Sequence, residues 1–320
     1  IIARTDFIQN VPNDYKLPEL PPSVICGWDI ETYHEDHIVP KWDNGGKVFM
    51  VGASFGYIHE KTASYNMLIT IKPKDGKLVQ STEKYDVVNC DNEDQVVRAL
   101  MLVFTEFRPN FSVHFNGWGY DVPFIKHVIT KHKKKYVSLI DNLHWVKPFS
   151  PDGNNTKSMF RNMNMKITAT HDQLVNYLSV TGMCDFDLMI VNMKSELTDV
   201  MPKLNYLLDI SALRAKVDLD YEDMFCYYEN GKSTEMAIVS EYCMYDCIRT
   251  FELVKKLNYI FDKIEEALAS VIRINQAILL ANGRRVRNLV CQEGFKRNIL
   301  FSNYVIYDDE EKSKYEGAYV

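Results

Sequence analysis

The sequence predicts a mixed α/β fold, with a β-sheet flanked by helices and a helical extension towards the C-terminal end. Short apolar runs with strand composition alternate with segments of helical periodicity through the first half of the chain. Such alternation is typical of a sheet that carries helices on its faces. Helical patterns then follow one another from Ser233 to Leu280, and they predict the extension.

The composition is that of a globular protein and excludes several classes. The chain has 320 residues, of which 46% are hydrophobic and 25% charged. No stretch reaches the roughly 18 apolar residues that a membrane span needs. The seven cysteines are odd in number and lack CxxC spacing, which argues against a disulfide framework or a zinc site and indicates reduced thiols in the cytosol. The net charge of −6 does not indicate nucleic-acid binding, but a site for divalent cations must itself be acidic.

Each element follows from a local pattern. Residues 1–23 are rich in proline and predict a connector, and the lack of an initiator Met indicates a piece of a longer protein. Pro123 favours the first turn of a helix, and Ser233 or Thr234 is suited to cap another. Residues 150–181 have no clear pattern. The predicted strands are 24–31, 48–58, 64–71 and 111–115, and the predicted helices are 92–108, 123–134, 233 to about 262, and 264–280, with a break at Asn282-Gly283.

Two acids interrupt the first predicted strand, VICGWDIETY. Asp29 and Glu31 are two residues apart, so their side chains point to the same face of a strand. Two adjacent carboxylates repel each other and are costly to bury, unless a divalent cation lies between them. The alternative is an edge or solvent-facing pair, which needs no cation.

Two further patterns contain acids. Asn116 to Asp121 follows a predicted strand, and the end of a strand is where an α/β sheet commonly places ligand residues. The alternative for Asp121 is a helix N-cap ahead of Pro123. Tyr242 and Asp246 are four residues apart and share one helix face, and the alternative for them is a surface pair.

Together these three patterns resemble the proofreading 3′–5′ exonuclease of family B DNA polymerases, the type with four acids and a tyrosine. Asp29 to Glu31 resembles its first motif, Asn116 to Asp121 its second, and Tyr242 to Asp246 its third. Tyr120 stands where many members have Phe, and the motif accepts either. Residues 216–243 also resemble the polymerases of large cytoplasmic DNA viruses, the asfarvirus kind. The resemblance covers nearly the whole chain from about Val24 and implies an RNase H-like (ribonuclease H-type) sheet.

The resemblance implies a two-metal site built from acids. Two divalent cations, Mg²⁺ or Mn²⁺, would be held by four carboxylates: Asp29, Glu31, Asp121 and Asp246. Asp29 would bridge both cations, Glu31 and Asp246 would serve the first, and Asp121 would reach the second, partly through water. Such a pair can clamp the in-line hydrolysis of the terminal phosphodiester of a single-stranded 3′ DNA end. Tyr242 would orient the attacking water, because a hydroxyl with a pKa near 10 is a poor base at neutral pH.

The family also implies contacts to the DNA strand. Thr32, Asn116 and Tyr120 match the positions that hold the frayed 3′ end, and an aromatic ring at position 120 suits stacking on a base. Lys203, in MPKLNYLL, matches loosely a lysine that binds phosphate in some members. His34 and His37 lie near the first motif in the loop HEDH, where we expect them to be solvated.

The end of the chain sets the expected domain boundaries. Tyr315 to Ala318 resembles the element that joins exonuclease to polymerase in this family, and the polymerase motifs are not in this chain. We therefore expect three parts: a connector from a missing N-terminal domain (1–23), the exonuclease domain (24–262), and a helical linker into a missing polymerase domain (263–320). The expected partners are primer-template DNA, the N-terminal, palm, fingers and thumb domains of the same polymerase, and a processivity factor, without a membrane. The expected location is the viral replication site in the host cytoplasm, or the nucleus, and not the secretory route.

Two other classes of function remain open on the sequence. One is a free-standing RNase D-like exonuclease that acts on RNA, although the element from Tyr315 speaks against it. The other is a mainly structural domain that positions DNA for a polymerase. Pure scaffolding predicts the loss of at least one acid, and all four are present.

Overall fold

The computed structural model describes residues 22–143, 159–168, 171–198, 200–215 and 219–299. The strands are β1 (Val24–Tyr33), β2 (Lys47–Tyr57), β3 (Tyr65–Ile71), β4 (Asp86–Cys90), β5 (Phe111–His114), β6 (Phe160–Lys166), β7 (Asp172–Leu178) and β8 (Cys184–Asp187). The helices are α1 (Glu93–Phe107), α2 (Asp121–Lys131), α3 (Lys133–Leu143), α4 (Leu188–Glu196), α5 (Leu204–Ile210), α6 (Tyr221–Asn230), α7 (Ser233–Lys256), α8 (Tyr259–Ser270), α9 (Ile274–Leu279) and α10 (Gly283–Lys296).

The described strands form a six-stranded mixed sheet and a separate hairpin. The strand order of the sheet is β4-β3-β2-β1-β5-β8, and β6 pairs with β7. β1 is antiparallel to β2 and parallel to β5, so it is a central strand with a neighbour on each side. The mixed α/β class predicted from the sequence is therefore confirmed, and the edge-strand alternative for Asp29 and Glu31 is wrong.

Helices cover both faces of this sheet. Trp28 packs edge-on against Phe104 of α1, with ring centroids 6.0 Å apart. Gly27, the preceding residue, faces α7 instead, because a Cβ there would lie 2.8 Å from the carbonyl oxygen of Cys247. Since side chains alternate along a strand, Asp29 shares the α7 face with Gly27. This alternation turns Asp29 towards α7, the helix that carries Asp246.

Most predicted elements agree with the structure to within a few residues. β1, β2, β3, α1 and β5 lie where the patterns place them, and Asn92 caps α1 by accepting a hydrogen bond from the Gln95 amide. Two elements of the main sheet, β4 and β8, were not predicted. The unpatterned stretch 150–181 contains the β6–β7 hairpin in its described part.

Several helix boundaries differ from the predictions. The helix expected over 264–280 is two helices, because α8 ends at Ser270 and α9 begins at Ile274. The helix expected to reach residue 262 ends at Lys256, because Asn258 takes a left-handed conformation (φ 58°) before α8 begins. Ser233 is the first residue of α7 and not its cap, and its amide and hydroxyl both donate to Asp75. The helix expected from 123 to 134 is two helices, since α2 ends at Lys131 and α3 begins at Lys133. The connector 1–23, apart from its last two residues, and the element at Tyr315 lie outside the described residues.

The chain offers no sign of a membrane span where it is described. Among those residues, no helix is both long and apolar enough to cross a bilayer. All seven cysteines are described and none forms a disulfide, as predicted.

Candidate active site

A cleft of about 790 Å³ lies where β1, the loop after β5, the start of α5 and one face of α7 meet. Seven of the nine site residues predicted from the sequence line this cleft: Asp29, Asn116, Tyr120, Asp121, Lys203, Tyr242 and Asp246. They are up to 217 positions apart in sequence (246 − 29), and the fold brings them together. Glu31 and Thr32 are not among the lining residues.

Asp29 lies at the centre of the acidic group. Burial raises the pKa of Asp29 well above its ordinary value, and the nearby charges of Asp121, Glu31 and Asp246 raise it further. Each of the other three carboxylates is therefore close enough to repel the charged form of Asp29. A cation would offset that repulsion and favour the charged form of Asp29.

The two residues outside the cleft surface are held just behind it. Glu31 is only 6% exposed and lies two residues beyond Asp29 on β1. Thr32 is also buried, and its Oγ1 lies 2.6 Å from the hydroxyl of Tyr120, which does line the cleft. A register shift in the β1–β2 pairing between Glu31 and Thr32 separates these two residues.

Asp121 connects the second motif to the first. It is 2% exposed, and its Oδ1 accepts a hydrogen bond from the amide of Ile30 at 3.2 Å. Burial raises the pKa of Asp121 to about 7, against the opposing effects of His114 and of two backbone amides. The N-cap of α2 is Tyr120, without a side-chain cap, so the N-cap alternative for Asp121 is wrong.

The loop between β5 and α2 turns sharply at Asn116. Its φ of 61° is left-handed, a conformation that asparagine adopts more readily than most residues. The carbonyl of Asn116 accepts from the amides of Gly119 and Tyr120, both at 3.1 Å. The turn directs both Asn116 and Tyr120 to the cleft.

A buried polar network holds this loop, and sequence reasoning missed it. Asp187, which is fully buried, accepts from the amides of Asn116 at 3.1 Å and Trp118 at 3.0 Å, and it also caps α4. Asp185 accepts from the indole of Trp118 at 2.8 Å and lies 3.2 Å from Nε2 of His114. A Cβ on Gly117 would collide with the His114 ring. The sequence does contain an indication of this network, since Asp185 and Asp187, in CDFD, lie next to an apolar run.

Tyr242 and Asp246 reach the cleft from α7. Asp246 is 6% exposed, so the surface-pair alternative is wrong for it. α7 lies close to the sheet because glycines face it. A Cβ on Gly52 would lie 2.5 Å from the sulfur of Cys247. A side chain at position 52 would therefore require Cys247 or the helix itself to shift.

Lys203 and the two histidines have different surroundings. Lys203 precedes α5 and is exposed, and it lines the cleft. His34 is buried at 4% exposure and its Nε2 lies 2.8 Å from the carbonyl of Asn44, so its expected solvation is wrong. His37 is partly exposed and pairs with Glu229 at 2.8 Å.

The donors suit a hard cation, although they do not form a closed cage. Among the described residues, no group of three or more His, Cys, Asp or Glu side chains is placed to hold a metal ion as it stands. Mg²⁺ is commonly bound by one or two carboxylates together with water and substrate phosphates. The carboxylates around Asp29 fit that mode of binding, because all their donors are oxygens and the three neighbours of Asp29 repel its charged form.

Comparison with known proteins identifies the family of the chain and its viral relatives. The sequence model of the DNA polymerase family B exonuclease domain matches residues 3–208. A DNA polymerase beta of African swine fever virus (isolate Pig/Kenya/KEN-50/1950) is 25% identical over 93% of this chain and 25% of its own length. A DNA polymerase of Paramecium bursaria Chlorella virus NY2A is 25% identical over the whole chain and 34% of its own length.

The chain thus spans about a quarter to a third of the length of these relatives. The family match ends before α7, so Tyr242 and Asp246 are covered by the viral relatives and not by the family model. Divalent metal use is general to this family. The match covers 206 of 320 residues (208 − 3 + 1), and the chain belongs to the exonuclease domain family of the family B DNA polymerases.

Proposed function

We propose that this chain is the proofreading 3′–5′ exonuclease part of a virus-encoded DNA-directed DNA polymerase. Its reaction would be hydrolysis of the terminal phosphodiester of a single-stranded 3′ DNA end. The observation that carries the proposal is that Asp29, Asp121 and Asp246 line one cleft together with Tyr242. Burial, and then the charges of the neighbouring carboxylates, raise the pKa of Asp29 there. Family membership and the viral relatives support the same reaction class.

The four carboxylates would hold two divalent cations, Mg²⁺ or Mn²⁺. Bound there, the cations would supply an activated water and neutralise charge on the phosphate. The ligands would be Asp29, Glu31, Asp121 and Asp246. Support comes from the burial of Asp121 and Asp246 beside Asp29, because several buried carboxylates in one place are costly unless a cation offsets their charge.

The remaining residues would bind and orient the substrate. The Tyr242 hydroxyl would orient the attacking water by a hydrogen bond. Tyr120 would stack on the terminal base, held by its contact with Thr32. Asn116 would contact the same nucleotide, and Lys203 would contact a phosphate, since both line the cleft.

The wider context of the chain is part of the proposal. We infer an RNase H-like exonuclease domain over residues 24–262, preceded by a connector (1–23) and followed by a helical linker (263–320) into a polymerase domain. The central mixed sheet with helices on both faces supports that fold. The other polymerase domains and a processivity factor would be its partners. The cytoplasmic replication site of a large DNA virus would be its location.

The test is cleavage by the purified 320-residue chain. We expect it to shorten single-stranded DNA from the 3′ end with Mg²⁺ or Mn²⁺, to leave RNA of the same sequence intact, and to extend no primer. Asp29→Ala should abolish cleavage, because the carboxylate cluster loses its central member. Asp43→Ala, which removes an exposed acid from a loop, is the matched control and should cleave normally. Faster cleavage of RNA than of DNA, or normal cleavage by Asp29→Ala, would overturn the assignment.

A further inference from the structure

A second cleft, of about 590 Å³, has the opposite charge to the first. Three separate segments line it: the loop after β2, the segment after α5, and the last turns of α7. Five of its lining residues are cationic and one, Glu252, is acidic. The cations of this basic pocket are Lys61, Arg214, Arg249, Lys255 and Lys256. In a chain with a net charge of −6, such a concentration of positive charge is local.

Most of this charge is not neutralised by the protein. Glu252 pairs with Arg249, and the Lys255 ammonium donates to the carbonyl of Ile58. Within the described ranges, Lys61, Arg214 and Lys256 make no ion pair with an acid. Arg249 is 8% exposed, and its Nε has no hydrogen-bond partner. The pocket therefore presents three exposed cations, Lys61, Arg214 and Lys256, whose charge no acid of the described residues neutralises.

The basic pocket adjoins the candidate active site along one helix. Asp246 and Thr250 line the first cleft, and Arg249 lines the second. An α-helix rises 1.5 Å per residue, so Asp246 and Lys256 are separated by about 15 Å along the axis. A strand whose end lies near Asp246 can continue to the pocket within a few nucleotides.

The two clefts also differ in their aromatic content. Phe115, Tyr120 and Tyr242 line the first cleft, whereas none of the described residues that line the second is aromatic. Aromatic rings bind bases by stacking, and cations bind phosphates without regard to sequence. The chemistry of the second cleft therefore suits a backbone and not bases.

We propose that the basic pocket binds the phosphate backbone of the nucleic-acid strand whose 3′ end lies in the candidate active site. The proposal rests on the proposed function and extends it, because it adds a second binding site upstream of the reacting nucleotide. The pocket would hold the strand while successive 3′ ends are removed.

The experiment removes the three exposed cations and varies the length of the strand. The pocket variant combines Lys61→Ala, Arg214→Ala and Lys256→Ala. The control variant combines Lys47→Ala, Lys77→Ala and Lys134→Ala, which are exposed, lie outside the pocket, and change the net charge by the same amount. Binding of oligothymidylates of 4 and 16 nucleotides, with phosphorothioate linkages at the 3′ end to suppress cleavage, would be measured over a range of salt concentrations. Cleavage would be measured separately on the same oligothymidylates without phosphorothioate linkages.

We expect the pocket variant to bind the 16-mer about tenfold or more weakly, with a salt slope reduced by roughly 2, since each phosphate contact on a single strand contributes about 0.7. Its binding and cleavage of the 4-mer should match those of the wild type and of the control variant. Equal binding of the 16-mer by the pocket and control variants would overturn the proposal. An equal loss for both lengths would also overturn it, because the pocket would then act on the first cleft and not on an upstream strand.

Further outcomes distinguish a site for free phosphate from a site for a strand backbone. They also distinguish failure of the pocket proposal from failure of the proposed exonuclease function. If low millimolar inorganic phosphate releases the 16-mer from the wild type as fully as excess unlabelled 16-mer does, the pocket is a small-anion site and the strand proposal fails. If the wild type cleaves neither oligonucleotide, while only the pocket variant loses the 16-mer, the pocket is supported and the proposed exonuclease function fails. If the wild type cleaves the 4-mer and the pocket variant binds the 16-mer as the wild type does, the exonuclease function is supported and the pocket proposal fails.

Discussion

The two sides of the candidate active site are held by different kinds of contact. On the loop side, which carries Asn116 and Asp121, backbone amides donate to the buried carboxylate of Asp187. On the helix side, which carries Tyr242 and Asp246, α7 approaches the sheet through Gly27 and Gly52. The loop side depends on hydrogen bonds and charge, and the helix side depends on the close packing of α7 against glycines of the sheet.

This difference predicts how each side fails. A hydrogen-bond network responds to the loss of an acceptor or to a change of protonation, even when the volume of the side chain is kept. A close backbone contact responds to one added methyl group and is indifferent to pH. Changes that keep volume should therefore affect the loop side, and changes that keep charge should affect the helix side.

The largest effects should come from the groups that the helix side presents. Asp246→Ala removes a carboxylate from the proposed metal site, so both metal affinity and single-turnover cleavage should fall. Tyr242→Phe removes only a hydroxyl, and one hydrogen bond made in the transition state is worth roughly a hundredfold in rate. We expect Tyr242→Phe to slow cleavage by about that factor with metal affinity unchanged, as measured by Mn²⁺ titration. Cleavage by Tyr242→Phe at the wild-type rate would mean that the tyrosine only packs on α7.

On the loop side, Asp187→Asn should be the most damaging change that keeps volume. Both oxygens of Asp187 accept from backbone amides of the loop. The side chain of asparagine has only one oxygen, so its NH2 group would face one of these backbone N–H donors and leave it without an acceptor. Leaving one buried group unsatisfied costs about 1–3 kcal/mol. We expect that loss in the free energy of unfolding by urea, together with slower cleavage, because Asn116 and Asp121 lose their support.

A matched control exists for this substitution at the start of α6. Asp220 is exposed there and accepts from the amide of Glu222 at 3.0 Å. Asparagine is as good an N-cap as aspartate, so Asp220→Asn should change neither stability nor cleavage. Equal stability of Asp187→Asn and Asp220→Asn would show that the loop does not depend on the buried acid.

Gly27→Ala tests the helix side by volume alone. The added methyl group would lie 2.8 Å from a backbone oxygen of α7, which cannot move away as a flexible side chain could. Overpacking of this kind costs about 1–3 kcal/mol, and α7 should shift with Asp246 on it. Gly283→Ala is the control, because nothing lies within 4 Å of a Cβ at that position. A wild-type unfolding midpoint for Gly27→Ala would contradict the role given to the glycines.

The sequence predicted the elements with strong patterns and missed those that depend on distant contacts. α1 was predicted to within a residue at each end, because its apolar spacing and its Asn92 cap are local. β4 (Asp86–Cys90) was missed, since its place at the sheet edge depends on pairing with β3. The end of α7 was missed because Asn258, with φ 58°, ends the helical run without a glycine or proline.

The candidate site shows the same limit. Seven of the predicted residues line one cleft. Most of them could be predicted because they belong to short motifs with a recognisable spacing. The roles of His114, Asp185 and Asp187 had no motif behind them. Their contacts join residues about 70 positions apart, such as Asn116 and Asp187, and no local pattern reports such a pairing. The burial of His34 was likewise set by Asn44, ten residues along the chain.

The smallest expected effect, and the one that separates the two sides most clearly, is that of pH. Burial alone would lower the pKa of His114, but the charges of Asp185, Asp187 and Asp121 outweigh it, so its pKa lies above the ordinary 6.5. Burial also raises the pKa of Asp121 to about 7 and raises that of Asp187. All three pKa values are raised in the folded state. At these groups, the folded state therefore binds more protons than the unfolded state does.

The contribution of these three groups to the free energy of unfolding therefore falls as pH rises. The contribution of His114 is fully present below its unfolded pKa of about 6.5 and is lost as pH rises through its higher folded pKa. We expect the stability difference between the wild type and His114→Gln to shrink over this range. The difference between the wild type and Gly27→Ala should stay constant, since a backbone clash does not titrate. NMR titration of the His114 ring gives the direct readout, and a ring that titrates below pH 6.5 would show that the loop side is not held by a charged histidine.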